Sequence, residues 1–314
     1  MRTLVTLMLA ACTLGAQASE AECIVPSKPG GAMDLTCKLA QKALATAGGP
    51  RVKLSYMPGG IGAVAWHTLV SQRRAEPDTL VAFSGGSLLN LAQGKFGKAK
   101  AGDVRWVAAI GADYGMIAVR ADSPWHTLRE LFDAIRRDPQ QVLIAVSGTI
   151  GSQDWVKMAL LAQHADIDPK RLRFVALEGG GESFTAMGAG FVQVVSGDAS
   201  EAGLYAGGNV RILAVLAEKR LPGVLKDVPT AREQGIDVVW PLIRGVWMGP
   251  AVPEADYRRW VAAFDRMEAS PDFARLRSEA GLYPFSLTGE ALTRHIKQAV
   301  TDYNRQAEQF HLVR

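Results

Sequence analysis

The chain has 314 residues, of which 35 are Lys or Arg and 31 are Asp or Glu, so its formal net charge is +4 at pH 7. The charges are scattered and no basic stripe is interleaved with the aromatic residues, so we expect no nucleic-acid partner. The mild basic excess suits a small anionic ligand, and at ~150 residues per domain the length predicts two domains.

Residues 1–18 have the pattern of a secretory signal peptide. One basic residue precedes an apolar run at residues 4–11, and residues 16–18 have the small-x-small arrangement of a cleavage site. An alternative interpretation is a lipobox, which would leave a lipid on Cys12. No later apolar stretch approaches the ~20 residues of a membrane span. We therefore predict an exported, soluble mature chain that begins near Ser19.

Export makes the cysteines informative. If Cys12 leaves with the signal peptide, Cys23 and Cys37 remain as a pair in a compartment that permits disulfides. We predict a bridge between them that ties the first strand to the first helix. The alternative is two buried free thiols, because cysteine is among the most buried residue types.

Short apolar runs alternate with helical patterns along most of the mature chain. The runs show little polar alternation, which is typical of buried, largely parallel strands. A four-residue apolar repeat predicts a helix over residues 35–47, Thr127 and Glu130 have capping-box spacing, and long helical patterns occupy residues 254–269 and 289–310. This order predicts an α/β fold with helices on both faces of each sheet. The predicted strands are residues 23–25, 52–56, 79–83, 104–110, 116–119, 142–146, 172–177, 192–196 and 210–216.

Five of these strands are followed by a loop of glycine or hydroxyl residues and then by a helical pattern. In a parallel sheet such loops meet at the carboxyl ends of the strands, where ligands bind. Free N–H groups at the start of a helix can hold a carboxylate or phosphate without a catalytic group. We therefore predict an anion-binding site built from these loops. Its candidate residues are Gly30, Gly31, Gly59, Gly60, Gly62, Ser84, Ser87, Ser147, Thr149 and Ser152.

Four charged residues stand in or near these loops. Asp34 and Asp198 fit a role as helix-dipole partners, or as groups that orient loop amides or water, because carboxylates repel a bound anion at short range. Lys28 and Arg244 are the candidate cations, and arginine can grip a carboxylate through two hydrogen bonds. The alternatives are a surface lysine and a salt bridge between domains.

Motifs for bond-breaking chemistry are missing from the sequence. It has no G-x-S-x-G elbow, Walker A lysine, G-x-G-x-x-G, C-x-x-C or H-E-x-x-H, and its five histidines never fall at helical spacing from one another. We therefore predict no catalytic residues, no metal site and no cofactor, and a protein that is not an enzyme.

Eight segments, in order from about residue 22 to the C-terminus, resemble the periplasmic receptors of tripartite tricarboxylate transporters, the Bug-type extracytoplasmic solute receptors. The likeness is closer to the citrate-binding branch, because Lys28 stands where the general pattern usually has an aromatic residue. The segments are ECIVPSKPGGAMDLTCKLA, SYMPGGIGAVAWHTLV, VAFSGGSLLNLAQGKFG, DYGMIAVRADSPWHTL, GSQDWVKMALLAQ, EGGGESFTAM, VQVVSGDASE and VPTAREQGIDVVWPLIRG.

The resemblance implies a two-lobed periplasmic binding protein with type II-like topology and a ligand cleft between two Rossmann-like domains. We expect domain 1 to consist of residues 19–121 and 241–314, and domain 2 of residues 122–240. The chain would cross between them near residues 120–124 and return near residues 238–244.

The resemblance also implies a carboxylate held by the first glycine loop, residues 28–34, and by the second, around residues 59–62. The other lobe would close on it with residues matching Ser147, Thr149, Ser152, Gln153 and Asp198. Lys28 and Arg244 favour a ligand with two or three carboxylates by charge complementarity.

We therefore predict a monomeric periplasmic receptor that delivers citrate, or a related tricarboxylate or dicarboxylate, to the membrane subunits of a tripartite tricarboxylate transporter. Two alternatives remain open. The ligand could be another organic anion, such as an aromatic acid or an acidic amino acid, or the chain could be the sensing module of a signalling system.

Overall fold

The computed structural model describes residues 20–201, 208–310 and 312. The predicted signal peptide and the lipobox alternative at Cys12 lie outside the described residues. The chain starts with β1 (Ala21–Val25), α1 (Ala32–Thr46), β2 (Val52–Tyr56), α2 (Ala63–Ser71), β3 (Thr79–Ser84) and α3 (Gly85–Ala92). It continues with β4 (Arg105–Arg120), α4 (Leu128–Arg137), β5 (Leu143–Ser147), α5 (Gln153–His164), β6 (Arg173–Leu177), α6 (Gly180–Gly188), β7 (Val194–Asp198) and β8 (Val210–Leu216). It ends with β9 (Pro241–Met248), α7 (Glu254–Glu268), α8 (Phe273–Glu279), β10 (Leu287–Thr288) and α9 (Gly289–Gln309).

The strands form two halves that share β4. In the first half, β1 lies between β2 and β3 in parallel, and β9 is antiparallel to both β3 and β4. In the second half, β5 lies between β6 and β7 in parallel, and β4 is antiparallel to β7 and β8. The prediction of largely parallel strands therefore holds within β1–β3 and within β5–β7. All pairs that involve β4 or β9 are antiparallel.

The 16-residue strand β4 corrects one prediction. Residues 104–110 and 116–119 were expected to be separate strands. The strand continues because β9 provides antiparallel partners, such as Gly111 with Arg244 and Tyr114 with Pro241. At Gly115 the partners change to β7 and β8 of the second half. The predicted boundary at residue 121 stays a prediction, and this change of partners favours a crossing within β4.

Helices cover both faces of each half. In the first half, α1, α7 and α8 pack on one face, while α2, α3 and α9 pack on the other. In the second half, α4 and α5 bury Phe132, Val156 and Met158 on one face, and α6 buries Phe184 and Met187 on the other. The predicted α/β fold with helices on both faces is confirmed. No helix among the described residues is long and apolar enough to cross a membrane.

A disulfide joins Cys23 in β1 to Cys37 in α1, with a Cα–Cα distance of 5.8 Å. The predicted bridge is confirmed, and the alternative of two free thiols is wrong. Both cysteines are fully buried. The bridge closes the loop that contains Gly30 and Gly31, and so it fixes the start of α1 relative to the end of β1.

Candidate ligand-binding site

A small cavity lies between the two halves, at the carboxyl ends of β1, β3, β5, β6 and β7. Its volume is about 50 Å³, which is enough for a few water molecules or one carboxylate-sized group. The first half contributes Pro26, Ser27, Gly31, Ala32, Met33, Ile61, Ser84, Gly86, Asn90 and Arg244 to its lining. The second half contributes Ser147, Ser152, Gln153, Glu178, Gly179, Gly180, Asp198 and Glu201. We call this space the inner cavity.

A larger outer cavity of about 440 Å³ adjoins the inner one. Known small-molecule pockets have volumes of this order. The two cavities share four lining residues, Ile61, Asn90, Ser152 and Glu178. The outer cavity also reaches Lys28, Gly60, Lys95, Thr149 and Glu182. A ligand could therefore place one head group in the inner cavity and its remaining atoms in the outer one.

The first glycine loop is held in shape by Asp34, which lines neither cavity. Its buried carboxylate accepts hydrogen bonds from the Gly30 N–H at 2.9 Å, from the Tyr56 hydroxyl at 2.9 Å and from Lys38 at 2.8 Å. Gly30 has a φ of +86°, a conformation that favours glycine. Asp34 therefore orients the loop amides, which is one of the two roles predicted for it from the sequence. Gly31 of the same loop lines the inner cavity.

The second glycine loop contributes less to the cavities than the sequence suggested. Gly59, Gly60 and Gly62 have φ values of +136°, +59° and +94°, so they provide a turn that side chains would strain. Only Gly60 lines a cavity, the outer one. Ile61 between them lines both cavities, although the sequence analysis did not select it.

Some of the predicted hydroxyl residues line a cavity, and others cap a helix. Ser84 and Ser87 form a capping box at the start of α3, and Ser84 alone also lines the inner cavity. Ser147 and Ser152 line the inner cavity, and Thr149 lines the outer one. The Gln153 amide donates to Asp198 at 2.9 Å, so its carbonyl oxygen points away from that carboxylate.

A buried network of charges lies behind the inner cavity. Arg244 donates to Asp113 from Nε at 3.1 Å and from Nη2 at 2.9 Å, and Nη2 also contacts Asp198. Lys157 contacts Asp154 at 2.8 Å and Asp198 at 2.9 Å. Burial alone would raise the pKa of Asp198, but the charges of Lys157 and Arg244 lower it, so this carboxylate is ionised. The salt-bridge interpretation of Arg244 is the one that the structure bears out.

One nitrogen of Arg244 nevertheless remains for a ligand. The side chain is 1% exposed and lines the inner cavity. Its Nε and Nη2 atoms are used by Asp113 and Asp198, and no described residue pairs with Nη1. Since two carboxylates fix the guanidinium plane, Nη1 is a positioned donor in a site with little water.

Asn90 and Glu201 line the inner cavity and were missed by sequence reasoning. Asn90, in α3, is 4% exposed, and its amide has no hydrogen-bond partner within the described part of the chain. Glu201 accepts from the Ala32 N–H of the first half at 3.1 Å. Burial and the carboxylates of Asp198 and Asp154 raise the pKa of Glu201 to about 8. The only available signal was the position of Glu201 directly after the loop that contains Asp198.

Lys28 faces the outer cavity rather than the inner one. Its ammonium pairs with Glu182 of the second half at 2.9 Å, and both side chains are partly exposed. The hydrogen bond to Glu182, together with the charge of Glu182, raises the pKa of Lys28, so the lysine stays cationic. Its charge is thus already matched by an acid.

No group of His, Cys, Asp and Glu side chains among the described residues could hold a metal ion.

Comparison with known proteins identifies the family. A family model described as "Tripartite tricarboxylate transporter family receptor" matches residues 88–311. This is more than half of the chain, and the chain belongs to that family. The predicted family is confirmed, while its citrate-binding branch stays a prediction.

Three solved structures show the same fold. The periplasmic binding protein BugD is 18% identical, with 93% of this chain and 98% of that chain covered and a TM-score of 0.82. MatC from Rhodopseudomonas palustris with bound malate is 22% identical, with coverage of 91% and 97% and a TM-score of 0.77. An R. palustris protein with adipate is 19% identical, with coverage of 92% and 96% and a TM-score of 0.79. The predicted two-lobed binding-protein fold is confirmed, and the chain is a solute receptor of this family.

Proposed function

We propose that this receptor captures a small organic acid in the periplasm by closure of its two halves, and delivers it to the membrane subunits of a tripartite tricarboxylate transporter. The observation that carries the proposal is that Arg244 and Asn90 both line the inner cavity, and that neither Arg244 Nη1 nor the Asn90 side-chain amide has a partner among the described residues. Together they can bind one carboxylate through charge-assisted hydrogen bonds. The reported malate and adipate of two structural neighbours are acids of this kind.

Contacts between the halves support a closure mechanism. The Gln93 amide donates to the Gly151 carbonyl at 2.7 Å, and Lys28 pairs with Glu182 at 2.9 Å. Arg244 with Asp198 and the Ala32 N–H with Glu201 also join the halves. A ligand that touches both halves would add its contacts to these and favour the closed arrangement. Such a receptor requires no chemical step, so we propose a binding role without catalysis.

The prediction of citrate depended on the resemblance to the citrate-binding branch, and on Lys28 and Arg244 as cations that suit two or three carboxylates. Lys28 is paired with Glu182, and Arg244 is paired with Asp113 and Asp198. The inner cavity is lined by three acids, Glu178, Asp198 and Glu201, against one base, and of these acids Glu201 is largely protonated at neutral pH because its pKa is raised to about 8. This charge balance disfavours three ligand carboxylates. We therefore propose an acid with fewer carboxylates than citrate.

A thermal-shift screen of the purified mature protein tests this proposal. The compounds are citrate, malate, succinate, adipate, glutamate, benzoate and lactate, each compared with its neutral amide. An acid at ~100 times its Kd should add about 2.7 kcal/mol to the free energy of unfolding and raise Tm by several degrees. If no acid raises Tm more than its amide does, the proposed carboxylate site is wrong. A preference for benzoate or glutamate would select the aromatic or amino-acid alternative.

The sensing alternative uses the same binding site and differs only in the partner. Affinity capture with the ligand-loaded receptor from solubilised membranes tests this point. Recovery of the transporter subunits supports delivery, and recovery of a sensor protein in their place would contradict it.

A further inference from the structure

The N-terminus of α1 is capped by a carboxyl group of the protein itself. The N-cap residue Gly31 has no side chain that could accept a hydrogen bond from the first turn. The Ala32 N–H instead donates to Oε1 of Glu201 at 3.1 Å, and the Asp198 N–H donates to Oε2 at 3.1 Å. The start of a helix is where an anionic group is most stabilised. Glu201 therefore occupies the position at which the first glycine loop would bind a ligand carboxylate.

Two glycines leave space around the carboxyl group of Glu201. A Cβ atom at Gly180 would lie 1.8 Å from Oε1, and one at Gly197 would lie 2.9 Å from Oε2. Glu201 is 3% exposed. These glycines leave room for one carboxyl group at the start of α1, and the glutamate fills that room. A second carboxylate brought by a ligand would meet both steric exclusion and repulsion from Asp198.

The donors that remain can hold a single carboxylate. Arg244 Nη1 and the amide of Asn90 belong to side chains that are 1% and 4% exposed, and neither has a partner among the residues that the structure describes. Both line the inner cavity, whose volume of about 50 Å³ suits one small head group. Two donors on largely buried side chains, without a partner among the described residues, can be satisfied by an acceptor that the ligand supplies.

We infer that Glu201 takes the place of a second ligand carboxylate, and that this receptor selects acids with one carboxylate. The inference rests on the proposed function, because it assumes that the inner cavity binds an acid. The carboxylate of the ligand contacts Arg244 and Asn90, and its neutral remainder extends past Ser152 into the outer cavity. Glu201 thereby limits to one the number of ligand carboxylates that the site accepts.

Matched ligand pairs test the inference by calorimetry at pH 7. Succinate is compared with its monoamide succinamate, and adipate with its monoamide adipamate, because each pair differs only in one carboxylate. The wild type should bind each monoamide about tenfold or more tightly than the diacid. Glu201→Ala should shift this ratio about tenfold toward the diacid, because it vacates the start of α1. Glu201→Ser, which keeps a polar group near the Asp198 N–H, provides the same test if the alanine variant does not fold.

Glu290→Ala is the matched control. Glu290 is an exposed acid in the first turn of another helix, α9, and it lines neither cavity. The control should keep the wild-type ratio. Preference of the wild type for the diacids, or an unchanged ratio in both Glu201 variants, would overturn the inference and leave the proposed function standing. Failure of the wild type and the variants to bind either member of any pair would overturn both.

Discussion

Asn90 and Arg244 face the same cavity but are coupled to the fold in different ways. Removal of Arg244 would leave Asp113 buried without a cation, and Asp198 with Lys157 alone. Loss of one partner of a buried ion pair costs about 3–5 kcal/mol in comparable cases. The side-chain amide of Asn90 makes no hydrogen bond among the described residues, so it contributes little to folding. A variant at Asn90 can therefore test binding separately from stability.

We expect Asn90→Ala to weaken binding of the preferred acid about ten- to 150-fold. The reason is the loss of one hydrogen bond to a charged acceptor, which contributes about 1.5–3 kcal/mol. The unfolding midpoint should stay close to that of the wild type. Calorimetric titration and thermal unfolding measure the two quantities. Asn304→Ala, in α9 and outside both cavities, is the control. Equal affinity of the Asn90 variant and the control would remove Asn90 from the site.

Glu201 should also make stability depend on pH. Burial and the nearby carboxylates of Asp198 and Asp154 raise its pKa from 4.5 to about 8. Between these values the folded protein binds a proton that the unfolded chain has released, so the free energy of unfolding falls as pH rises. The contribution is complete below about pH 4.5 and is lost as pH passes through about 8.

Glu201→Gln removes this titration while nearly keeping the side-chain volume. We therefore expect the free energy of unfolding of the variant, relative to the wild type, to increase from about pH 5 to about pH 8. Urea unfolding at one-unit pH intervals measures the difference. Parallel pH profiles for the two proteins would show that Glu201 does not titrate in this range.

At the scale of elements, the disulfide connects β1 to α1 on either side of the first glycine loop. The bridged cysteines are 14 positions apart. A closed loop of this length contributes about 3 kcal/mol through the entropy of the unfolded chain. We expect reduction by dithiothreitol to lower the free energy of unfolding by about that amount, and the acid to bind more weakly because the loop carries Gly31 and Ala32. Two titratable thiols in the untreated, denatured protein would contradict the bridge.

The sequence predicted those elements whose signals are local. The helices at residues 254–269 and 289–310 were found within about two residues, and the capping box of Thr127 and Glu130 is present. The two runs in β4 were predicted as separate strands, whereas distant strands keep the residues between them extended: Gly111 pairs with β9, and Gly115 pairs with β7 and β8. Strand pairing across about 130 positions leaves no local pattern.

At the scale of the whole molecule, α9 connects the two halves. Leu292 and Ile296 of α9 pack in the core of the first half, while Phe310 just beyond the helix packs against Trp155 of the second half. The rings of Phe310 and Trp155 are 6.0 Å apart in an edge-on arrangement. The helix and Phe310 therefore connect the halves without lining either ligand cavity.

We expect Phe310→Ala to weaken ligand affinity about two- to tenfold although Phe310 lines neither cavity. An aromatic pair contributes about 0.5–1.5 kcal/mol, and its loss reduces the population of the closed arrangement. Calorimetry measures the affinity. Val300→Ala is the control, because Val300 packs only in the first half. If both variants bind equally well, α9 does not influence closure.

The candidate site was predictable in part. The glycine and hydroxyl loops after the strands identified Gly31, Ser84, Ser147 and Ser152, because such loops meet at one edge of a sheet. The pairing of Arg244 with Asp113 joins positions 131 apart, and the placement of Glu201 at the start of α1 joins positions 169 apart. Contacts over such separations depend on how the halves approach each other, and single-sequence patterns do not contain that information.

The central claim is that a carboxylate binds between the two halves, and its most direct test is a calorimetric titration of the ligand-stripped mature protein. The titrants are the acid with the largest thermal shift and the neutral amide of that acid. We predict one binding site per chain for the acid, and an affinity for the amide that is about 100-fold lower or more, because Arg244 Nη1 then faces a neutral group. Equal affinity for the acid and the amide would contradict the claim.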